Sequence, residues 1–173
     1  MKIIKQDMLA LTDGVLFHQV NCQGIMGGGI AYALAKKFPG LEKEYQDCIA
    51  KCIKSVDNER LSGYLTEDGD ILCQEQLAND VMLGKTFMWT VPNHKHLKIA
   101  NVFGQGYISS RWRMTSYDAT ARAFESLAPK LDKGVPLYFP FKMGCGLGGG
   151  EWGIYLAIIE HYFPDAIICQ HNV

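Results

Sequence analysis

The sequence predicts an α/β sandwich built around a mixed sheet. Short β-branched or aromatic runs alternate with amphipathic helical segments, and a strand is expected at each end of the chain. Twice, a predicted strand runs through a glycine-rich loop directly into a helix. We expect one domain, residues 1–173, because no linker, low-complexity run or charge block divides the chain.

Hydrophobic periodicity sets out the first half of the chain. It predicts, in order, a strand over 1–5, a buried strand over 15–20, and helices over 30–38 and 41–54. Two further runs, 61–66 and 71–76, flank the dipeptide Asp68-Gly69, and we expect a β-hairpin there because Asp-Gly favours tight hairpin turns. The pattern over 77–85 is weak, and a loop is expected.

The second half of the chain continues the alternation of strands and helices. Strands are expected over 87–91 and 97–103, and a loop rich in glycine, serine and arginine over 104–114. Thr115 or Ser116 is placed to cap a helix whose regularly spaced apolar residues continue to Leu131. A strand over 135–140, a glycine loop over 143–150, a helix over 152–162 and a strand over 166–169 complete the chain.

The two glycine loops are the most informative feature of the sequence. The first covers Asn21–Gly29 and the second Met143–Gly150. Glycine lets the backbone approach a ligand closely, and the free N–H groups at the start of the following helix favour an anion. One such loop could be only a tight turn. Two of them suggest a diphosphate held between them.

Composition narrows the class of protein. The 17 Lys and Arg residues balance 18 Asp and Glu, so no basic field indicates a nucleic-acid partner. No apolar run approaches membrane-spanning length and no segment resembles a signal peptide, so we expect a cytoplasmic protein without a membrane partner. The six cysteines lack zinc-site spacing and are expected to be reduced thiols. Neither a metal nor a cofactor is predicted.

Other nucleotide-binding and hydrolase motifs fit poorly. Gly144-x-Gly146-x-x-Gly149 matches the dinucleotide fingerprint, but only one strand follows it and no acidic residue stands where a Rossmann fold needs one. The sequence also lacks a P-loop motif and a Gly-x-Ser-x-Gly nucleophile elbow. A Rossmann fold is therefore disfavoured.

Several side chains near the loops are candidates for chemistry. His18 lies three residues before Asn21, so strand alternation would place it on the opposite face; it is either a core histidine or a general acid or base. Cys22 and Cys145 are either nucleophiles or small packing residues. Glu151 either complements the helix dipole or activates a water.

Two exposed features outside the glycine loops also have alternative interpretations. Asp7, at the end of the first strand, is either a turn cap or a carboxylate that accepts a hydrogen bond from the exocyclic amine of a purine. Arg111-Trp112-Arg113, in a predicted loop, either covers a ligand or is simply surface.

The order and spacing of four motifs resemble the macrodomain family of ADP-ribose-binding and ADP-ribose-hydrolysing modules. These motifs are Asp7 after the first strand, Asn21–Gly24 with Gly27–Ala31, the strand Ile99–Gln105, and Met143–Trp152. Together they span essentially the whole chain. The stretch from His18 to Tyr32 looks most like the branch that contains the yeast ADP-ribose 1''-phosphate phosphatase.

The resemblance implies a three-layer α/β/α fold with a central mixed sheet, and ADP-ribose or a derivative as the ligand. Asp7 and Met8 would face the adenine, and Asn21 would bond the distal ribose. The other implied ligand-binding residues lie in the two loops: Cys22, Gln23, Gly27, Gly28, Gly29, Ile30, Met143, Gly144, Cys145, Gly146, Leu147, Gly148 and Gly149.

The chain departs from two hydrolytic branches of the family. The aspartate that follows the glycine triplet in enzymes acting on mono-ADP-ribose is Ala31 here, and the aspartate and lysine of the glutamate-specific branch fall at Gly148 and near Gln105. The resemblance therefore favours hydrolysis of a small derivative, ADP-ribose 1''-phosphate, with His18 and Asn21 as catalytic candidates. A glycohydrolase acting on protein or nucleic acid and a non-catalytic reader remain alternatives.

Overall fold

A six-stranded mixed sheet forms the centre of the molecule. The computed structural model describes residues 1–71, 73–109 and 111–171. The strands are β1 Lys2–Lys5, β2 Gly14–Asn21, β3 Thr86–Thr90, β4 Leu97–Gln105, β5 Leu137–Pro140 and β6 Ile167–Gln170. They lie in the order β1-β6-β5-β2-β4-β3, and neighbours are parallel except for the antiparallel pair β3–β4. The predicted mixed sheet is confirmed.

Helices cover both faces of the sheet. They are α1 Gly29–Lys37, α2 Leu41–Lys54, α3 Asn58–Ser62, α4 Gln74–Met82, α5 Tyr117–Leu127 and α6 Trp152–Tyr162. Leu16 and Val20 of β2 belong to a core shared with α1, α2 and α4, whereas Val15 and Phe17 belong to a second core shared with α5 and α6. Because side chains alternate along a strand, one buried strand serves both cores, and the three-layer α/β/α architecture is confirmed.

The parallel strands all end at one edge of the sheet. β2 pairs with β4 on one side and β5 on the other, so Asn21, Gln105 and Pro140 come to the same edge. A register shift between Val20 and Asn21 interrupts the β2–β4 ladder at this point. Such irregularities re-aim side chains at the ends of strands, and here one occurs where both strands run into loops.

The β-hairpin predicted over 61–76 is wrong. Among the described residues, its two arms share a single bridge, between Leu65 and Ile71. The Asp-Gly turn itself forms, since the Thr66 N–H donates to the Asp70 carbonyl and Gly69 has a φ of +86°. Leu72, within the predicted second arm, lies outside the described residues, as does Ser110 in the predicted loop over 104–114.

The loop predicted over 77–85 is also wrong, because α4 occupies most of it. Four apolar side chains, at helical spacing, bury one face of this helix: Leu77, Ala78, Val81 and Met82. Its N-cap is Cys73, whose sulfur accepts from the Gln76 N–H at 3.4 Å. Cysteine is not among the favoured capping residues, so the start of the helix carried no ordinary signal.

Helices α1, α2 and α6 agree closely with the prediction, whereas the short helix α3, Asn58–Ser62, was not predicted and overlaps the start of the predicted strand 61–66. Ser116 caps α5, accepting from the Ala119 N–H, but α5 ends at Leu127 and not at Leu131. Pro129 has no N–H to continue the helix, and a 3₁₀ turn, Ala128–Lys130, follows. In the described part of the chain, every helix is too short or too polar to cross a bilayer.

Candidate functional site

A cleft of about 540 Å³ opens at the edge where the parallel strands end. Its floor comes from β2, β4 and β5, and its two sides come from the two glycine loops. The predicted ligand-binding residues that line it are Asn21, Gly27, Gly28, Gly29, Ile30, Met143, Gly144, Cys145, Gly146, Leu147 and Gly148. The structure therefore brings most of the predicted ligand-binding residues to one cavity.

The two loops contact each other at a glycine. A Cβ added to Gly28 would lie 2.6 Å from Leu147 Cδ1, so a larger residue at 28 would displace the leucine. The reason is space and not backbone conformation, because Gly28 has an extended φ of −160°. Leu147 is 71% exposed and lies at the mouth of the cleft.

The side chain of Asn21 holds the first loop in shape. Its Oδ1 accepts from the Gln23 N–H at 3.0 Å and the Ile25 N–H at 3.3 Å, while its Nδ2 donates to the Ile25 carbonyl at 2.6 Å. The Oδ1 is thereby saturated by the protein. A ligand contact from this side chain must use the remaining N–H of Nδ2.

Tyr45 fastens this loop to helix α2. Its hydroxyl is 2.5 Å from the Asn21 carbonyl and 3.1 Å from Asn21 Oδ1. Burial raises the pKa of Tyr45, so the hydroxyl keeps its proton and remains a donor. Tyr45 lies on the buried face of α2 with Leu41 and Ile49, and nothing in its spacing distinguishes it from a core residue.

Thr115 fastens the second loop in the same way. Its hydroxyl donates to the Gly144 carbonyl at 2.8 Å and accepts from Gln19 Nε2 at 2.9 Å. Gly144 has a φ of +72°, and a Cβ there would lie 2.5 Å from the Tyr155 ring, so glycine is required for both conformation and space. The Met114 and Thr115 N–H groups donate to the Gly148 carbonyl.

Two glutamines that the sequence analysis did not select lie on the floor of the cleft. Gln19 and Gln105 both line it, with Gln19 Nε2 3.4 Å from Gln105 Oε1. Gln19 Oε1 is buried and has no hydrogen-bond partner among the described residues. Leaving a buried acceptor unpaired costs free energy, and this oxygen packs against the backbone at Gly104 and Gly144 instead of facing the cleft.

His18 lies in the core and does not line the cleft. Its side chain is on the face of Leu16 and Val20, fully buried, with Nε2 2.7 Å from Asn101 Oδ1. Asn101 Nδ2 donates to the Phe87 carbonyl, so Asn101 Oδ1 is the acceptor and His18 is protonated at Nε2.

Burial lowers the pKa of His18 to about 4, and its hydrogen bond to Asn101 only partly opposes this. The imidazole is therefore neutral at physiological pH, and it has no access to the ligand cavity. This placement is that of the core histidine allowed by the sequence, and it does not support the general acid or base hypothesis.

Neither thiol near the loops has the properties of a nucleophile. Cys22 is fully buried, and burial raises its pKa to about 12. Cys145 lines the cleft, but burial raises its pKa too, and its Sγ donates to the Met143 carbonyl at 3.2 Å. Since the thiolate is the reactive form, both act as small packing groups at neutral pH.

Several predicted residues lie outside the cleft lining. Asp7 caps the 3₁₀ turn Met8–Ala10, accepting from the Leu9 N–H at 2.9 Å, and Met8 itself is buried in the core. A contact of Asp7 with adenine stays a prediction. The remaining members of this group are Cys22, Gln23 and Gly149.

Glu151 and the Arg111–Arg113 cluster also lie outside the lining. Glu151 is exposed at the N-cap of α6, and its N–H donates to the Tyr117 hydroxyl at 2.7 Å. Trp112 is 73% exposed, while the Arg113 guanidinium packs over the Tyr117 ring at 4.9 Å. A ligand-covering role for this cluster and a water-activating role for Glu151 stay predictions.

The cleft is poor in ionisable groups. The described residues that line the cleft include one basic residue, Lys142, and one cysteine, Cys145. They include no aspartate, glutamate or histidine. Within the same described ranges, no three His, Cys, Asp or Glu side chains are grouped to hold a metal ion. The polar groups that the described lining offers are therefore mainly backbone groups and amide side chains.

Comparison with known proteins gives two sequence relatives, whereas no family model matches the sequence. The chain is 26% identical over 171 residues to a DNA ADP-ribosyl transferase–DNA ADP-ribosyl glycohydrolase fusion protein of Thermosipho africanus, covering 94% of this chain and 38% of that protein. A 37-residue segment is 49% identical to the ADP-ribose 1''-phosphate phosphatase of Saccharomyces cerevisiae, 21% of each chain. The chain thus spans well under half of the first relative.

Solved structures match over almost the whole chain. Thermosipho africanus DarTG in complex with ADP-ribose superposes with a TM-score of 0.67 at 18% identity, covering 99% of this chain and 41% of that one. A macrodomain protein from Streptomyces coelicolor superposes with a TM-score of 0.67 at 17% identity, covering 99% of this chain and 98% of that one. The macrodomain of Mycobacterium tuberculosis DarG superposes with a TM-score of 0.61 at 18% identity, covering 99% of this chain and 97% of that one. The resemblance seen in the motifs is confirmed, and the chain has the fold of a macrodomain.

Proposed function

We propose that this chain binds ADP-ribose in the cleft between its two glycine loops. The observation that carries the proposal is the convergence of both loops on one cavity of about 540 Å³, where Gly28 meets Leu147. The diphosphate would lie between the loops, and the distal ribose beside Asn21. The Thermosipho relative, solved with ADP-ribose, supports this choice of ligand.

Backbone amides would supply most of the recognition. Helix α1 begins at Gly29, so the N–H groups of its first turn have no partner within the helix, and its first residues line the cleft. The positive end of the helix dipole favours the diphosphate there. Lys142 is the single lysine or arginine in the described lining, so a salt-bridge cluster has little part in binding.

For the reaction, we propose hydrolysis of ADP-ribose 1''-phosphate to ADP-ribose and inorganic phosphate. Water attacks phosphorus, the bond from phosphorus to the ribose oxygen breaks, and that oxygen takes a proton. Because no carboxylate or histidine is among the described lining residues, the phosphate monoester itself would receive the proton of the attacking water. Loop N–H groups would stabilise the charge that develops on the phosphate oxygens.

Asn21 would act in this scheme by contacting the distal ribose and by fixing the loop. Its free Nδ2 hydrogen can donate to a ribose hydroxyl, while its other bonds keep the loop N–H groups in place. The short segment shared with the yeast phosphatase supports the choice of reaction. His18 is given no chemical role, since it is buried away from the cleft.

A glycohydrolase is the second candidate, favoured by the similarity that extends over 171 residues to the Thermosipho fusion protein. In that case ADP-ribose would be released from DNA. In the glutamate-specific branch, the resemblance would place a lysine near Gln105 and an aspartate at Gly148, and this chain has neither residue there. We favour the phosphatase because that route to glycosidic cleavage is missing.

One set of assays separates these functions. The purified chain is incubated with ADP-ribose 1''-phosphate, with ADP-ribosylated DNA and with ADP-ribosylated protein, while released phosphate and ADP-ribose are measured. Phosphate release alone supports the proposed reaction. ADP-ribose release from DNA or protein supports the glycohydrolase, and calorimetric binding without any release identifies a reader. No heat of binding with ADP-ribose would overturn the proposed ligand.

A further inference from the structure

A second cavity, of about 430 Å³, lies at the opposite edge of the sheet from the ADP-ribose cleft. It is lined by the start of β2 at Gly14 and Val15, by β3, and by the C-terminal part of α5. The two cavities share no lining residue. Its volume is within the range of small-molecule sites, about 300 to 1,000 Å³.

The cavity runs inward from its rim between the sheet and α5. Lys98 pairs with Thr90 at one end of the β3–β4 ladder, and Thr86 pairs with Val102 at the other. Both Lys98 and Thr86 line the cavity, so it extends over about four residues of strand, roughly 13 Å. A ligand that fills it is therefore elongated.

The walls of this cavity are apolar, and its rim is basic. The apolar residues that form the walls include Val15, Met88 and Leu127. The rim carries four basic side chains and one carboxylate, namely Lys95, His96, Lys98, Lys130 and Asp132. The three lysines form no ion pair with a carboxylate in the described part of the chain.

Ordinary structural reasons explain only part of this charge. Lys130 follows the C-terminal end of α5, where the helix dipole favours a cation, and its Nζ also donates to Ser126 Oγ. Lys95 and His96 come from the β3–β4 connection and Lys98 from the start of β4, so the helix dipole does not explain their positions. Like charges around one opening repel each other, and a bound anion removes that repulsion.

A polar atom at the inner end lacks a partner. Thr86 Oγ1 is buried and makes no hydrogen bond among the described residues. A buried hydroxyl without a partner costs free energy, but this oxygen has almost no accessible surface and is out of reach of a ligand in the cavity. The cavity thus offers a cationic opening and apolar walls.

We propose that this second cavity binds a small anionic amphiphile, a carboxylate or phosphate monoester attached to an elongated apolar body. The anionic group would lie against Lys95, Lys98 and Lys130, and the apolar body would run along Met88 and Leu127 towards Thr86. This binding is independent of the ADP-ribose cleft, because the sites lie at opposite edges of the sheet.

Fluorescence titration tests the proposal, with anilinonaphthalenesulfonate as the probe and phenylnaphthylamine as its uncharged counterpart. We expect saturable binding of one sulfonate probe per chain, and binding of the uncharged probe at least tenfold weaker. Saturating ADP-ribose should displace neither. Octanoate and octyl phosphate should both compete, whereas octanol should compete at least tenfold less well, and the ratio of the two acids identifies the preferred head group.

Two variants locate the site. Ser126→Trp, at an exposed position on the rim, should block the cavity and weaken the sulfonate probe at least tenfold, whereas Glu125→Trp on the adjacent surface should not. Lys98→Glu combined with Lys130→Glu should weaken the sulfonate probe similarly, with Lys37→Glu combined with Lys54→Glu on exposed helix surface as the charge-matched control. Circular dichroism confirms folding.

Several results would overturn the proposal. They are no saturable binding, displacement of the probe by ADP-ribose, equal binding of charged and uncharged probes, or unchanged affinity in both the Ser126 and the lysine variants. If Ser126→Trp fails to fold, the lysine pair alone decides, because both of its side chains lie at the rim and neither is buried in the core.

Discussion

The two proposed anion sites, at opposite edges of the sheet, are built from different kinds of groups. At the edge where the parallel strands end, the cleft has two glycine loops and a single lysine among its described lining residues. At the opposite edge, the second cavity has apolar walls and a rim of lysines and a histidine. One edge presents backbone N–H groups in fixed positions, and the other presents long, flexible cationic side chains.

The comparison shows what each kind of site requires of the sequence. Backbone recognition needs glycine at particular positions and side chains that hold the loops, such as Tyr45 and Thr115. Side-chain recognition tolerates more substitution but is screened by salt and costs side-chain entropy. The first kind of site should therefore be more selective for ligand shape, and the second more selective for charge.

The largest expected effect comes from filling the glycine-loop cleft. Gly28→Glu places a carboxylate against Leu147 and in the path of the diphosphate, so ADP-ribose affinity should fall at least about 100-fold, close to 3 kcal/mol. Calorimetry measures the ADP-ribose affinity. Gly153→Glu is the control, because Gly153 is exposed on α6 and a Cβ there would contact no neighbour. Unaltered affinity in Gly28→Glu would refute the placement of the diphosphate.

A second prediction concerns His18, midway along β2 between the two edges. Its pKa of about 4 lies below the unfolded value of 6.5, so the native state resists protonation and loses stability as pH falls from 6.5 towards 4. The loss attributable to this residue is about 3 kcal/mol of the free energy of unfolding. Denaturant unfolding at several pH values measures it.

His18→Gln is the matched variant, because glutamine can still donate to Asn101 but does not titrate. The difference in pH dependence between the two proteins isolates His18 from the carboxylates that titrate in the same window. Equal pH dependence would mean that water reaches the histidine, and that the core does not separate the two cavities.

The third prediction tests the fastening of the first loop. Tyr45→Phe removes the hydroxyl that donates to Asn21, which should cost about 1 to 2 kcal/mol of stability and lower ADP-ribose affinity about tenfold or less. Tyr64→Phe is the control, since the Tyr64 hydroxyl bonds Asp80 on the surface, outside the cleft lining. An affinity loss of the same size in the control would remove the special role of Tyr45.

The smallest expected effect is that of salt on ADP-ribose affinity, and its contrast with the salt effect at the basic rim tests the difference between the edges. Between 50 and 500 mM NaCl, ADP-ribose affinity should change by no more than about threefold, because fixed amides and not mobile cations hold the diphosphate. The sulfonate probe at the basic rim should weaken by about tenfold over the same range. Equal salt dependence at both edges would contradict the distinction.

Much of this fold could be predicted because its signals are local. β2 and α2 are each recognisable from periodicity alone, and α2 and α6 were predicted with their observed bounds. The segment 61–85 was predicted wrongly. The Asp68-Gly69 turn forms, but it is followed by a helix whose N-cap is a cysteine and not by the second strand of a hairpin. The spacing of Leu77, Ala78, Val81 and Met82 was the signal that could have revealed α4.

The cleft was predictable in outline and not in detail. Glycine loops are easily recognised in a sequence. The hydrogen bonds that support them join residues far apart in the chain, as Thr115 bonds Gly144 and Tyr45 bonds Asn21. Gln19 was passed over because an amide on a buried strand resembles any polar strand residue. The second cavity left no sequence signal, since its rim and walls come from four separate segments.

The meeting of Gly28 and Leu147 bears on how fast a ligand can enter the cleft. The bridge between the loops is one exposed leucine side chain, which changes rotamer on the picosecond to nanosecond scale. Opening therefore requires neither a hinge nor a moving domain. Association of ADP-ribose should accordingly be a single kinetic phase whose rate rises linearly with nucleotide concentration, without a slower isomerisation step.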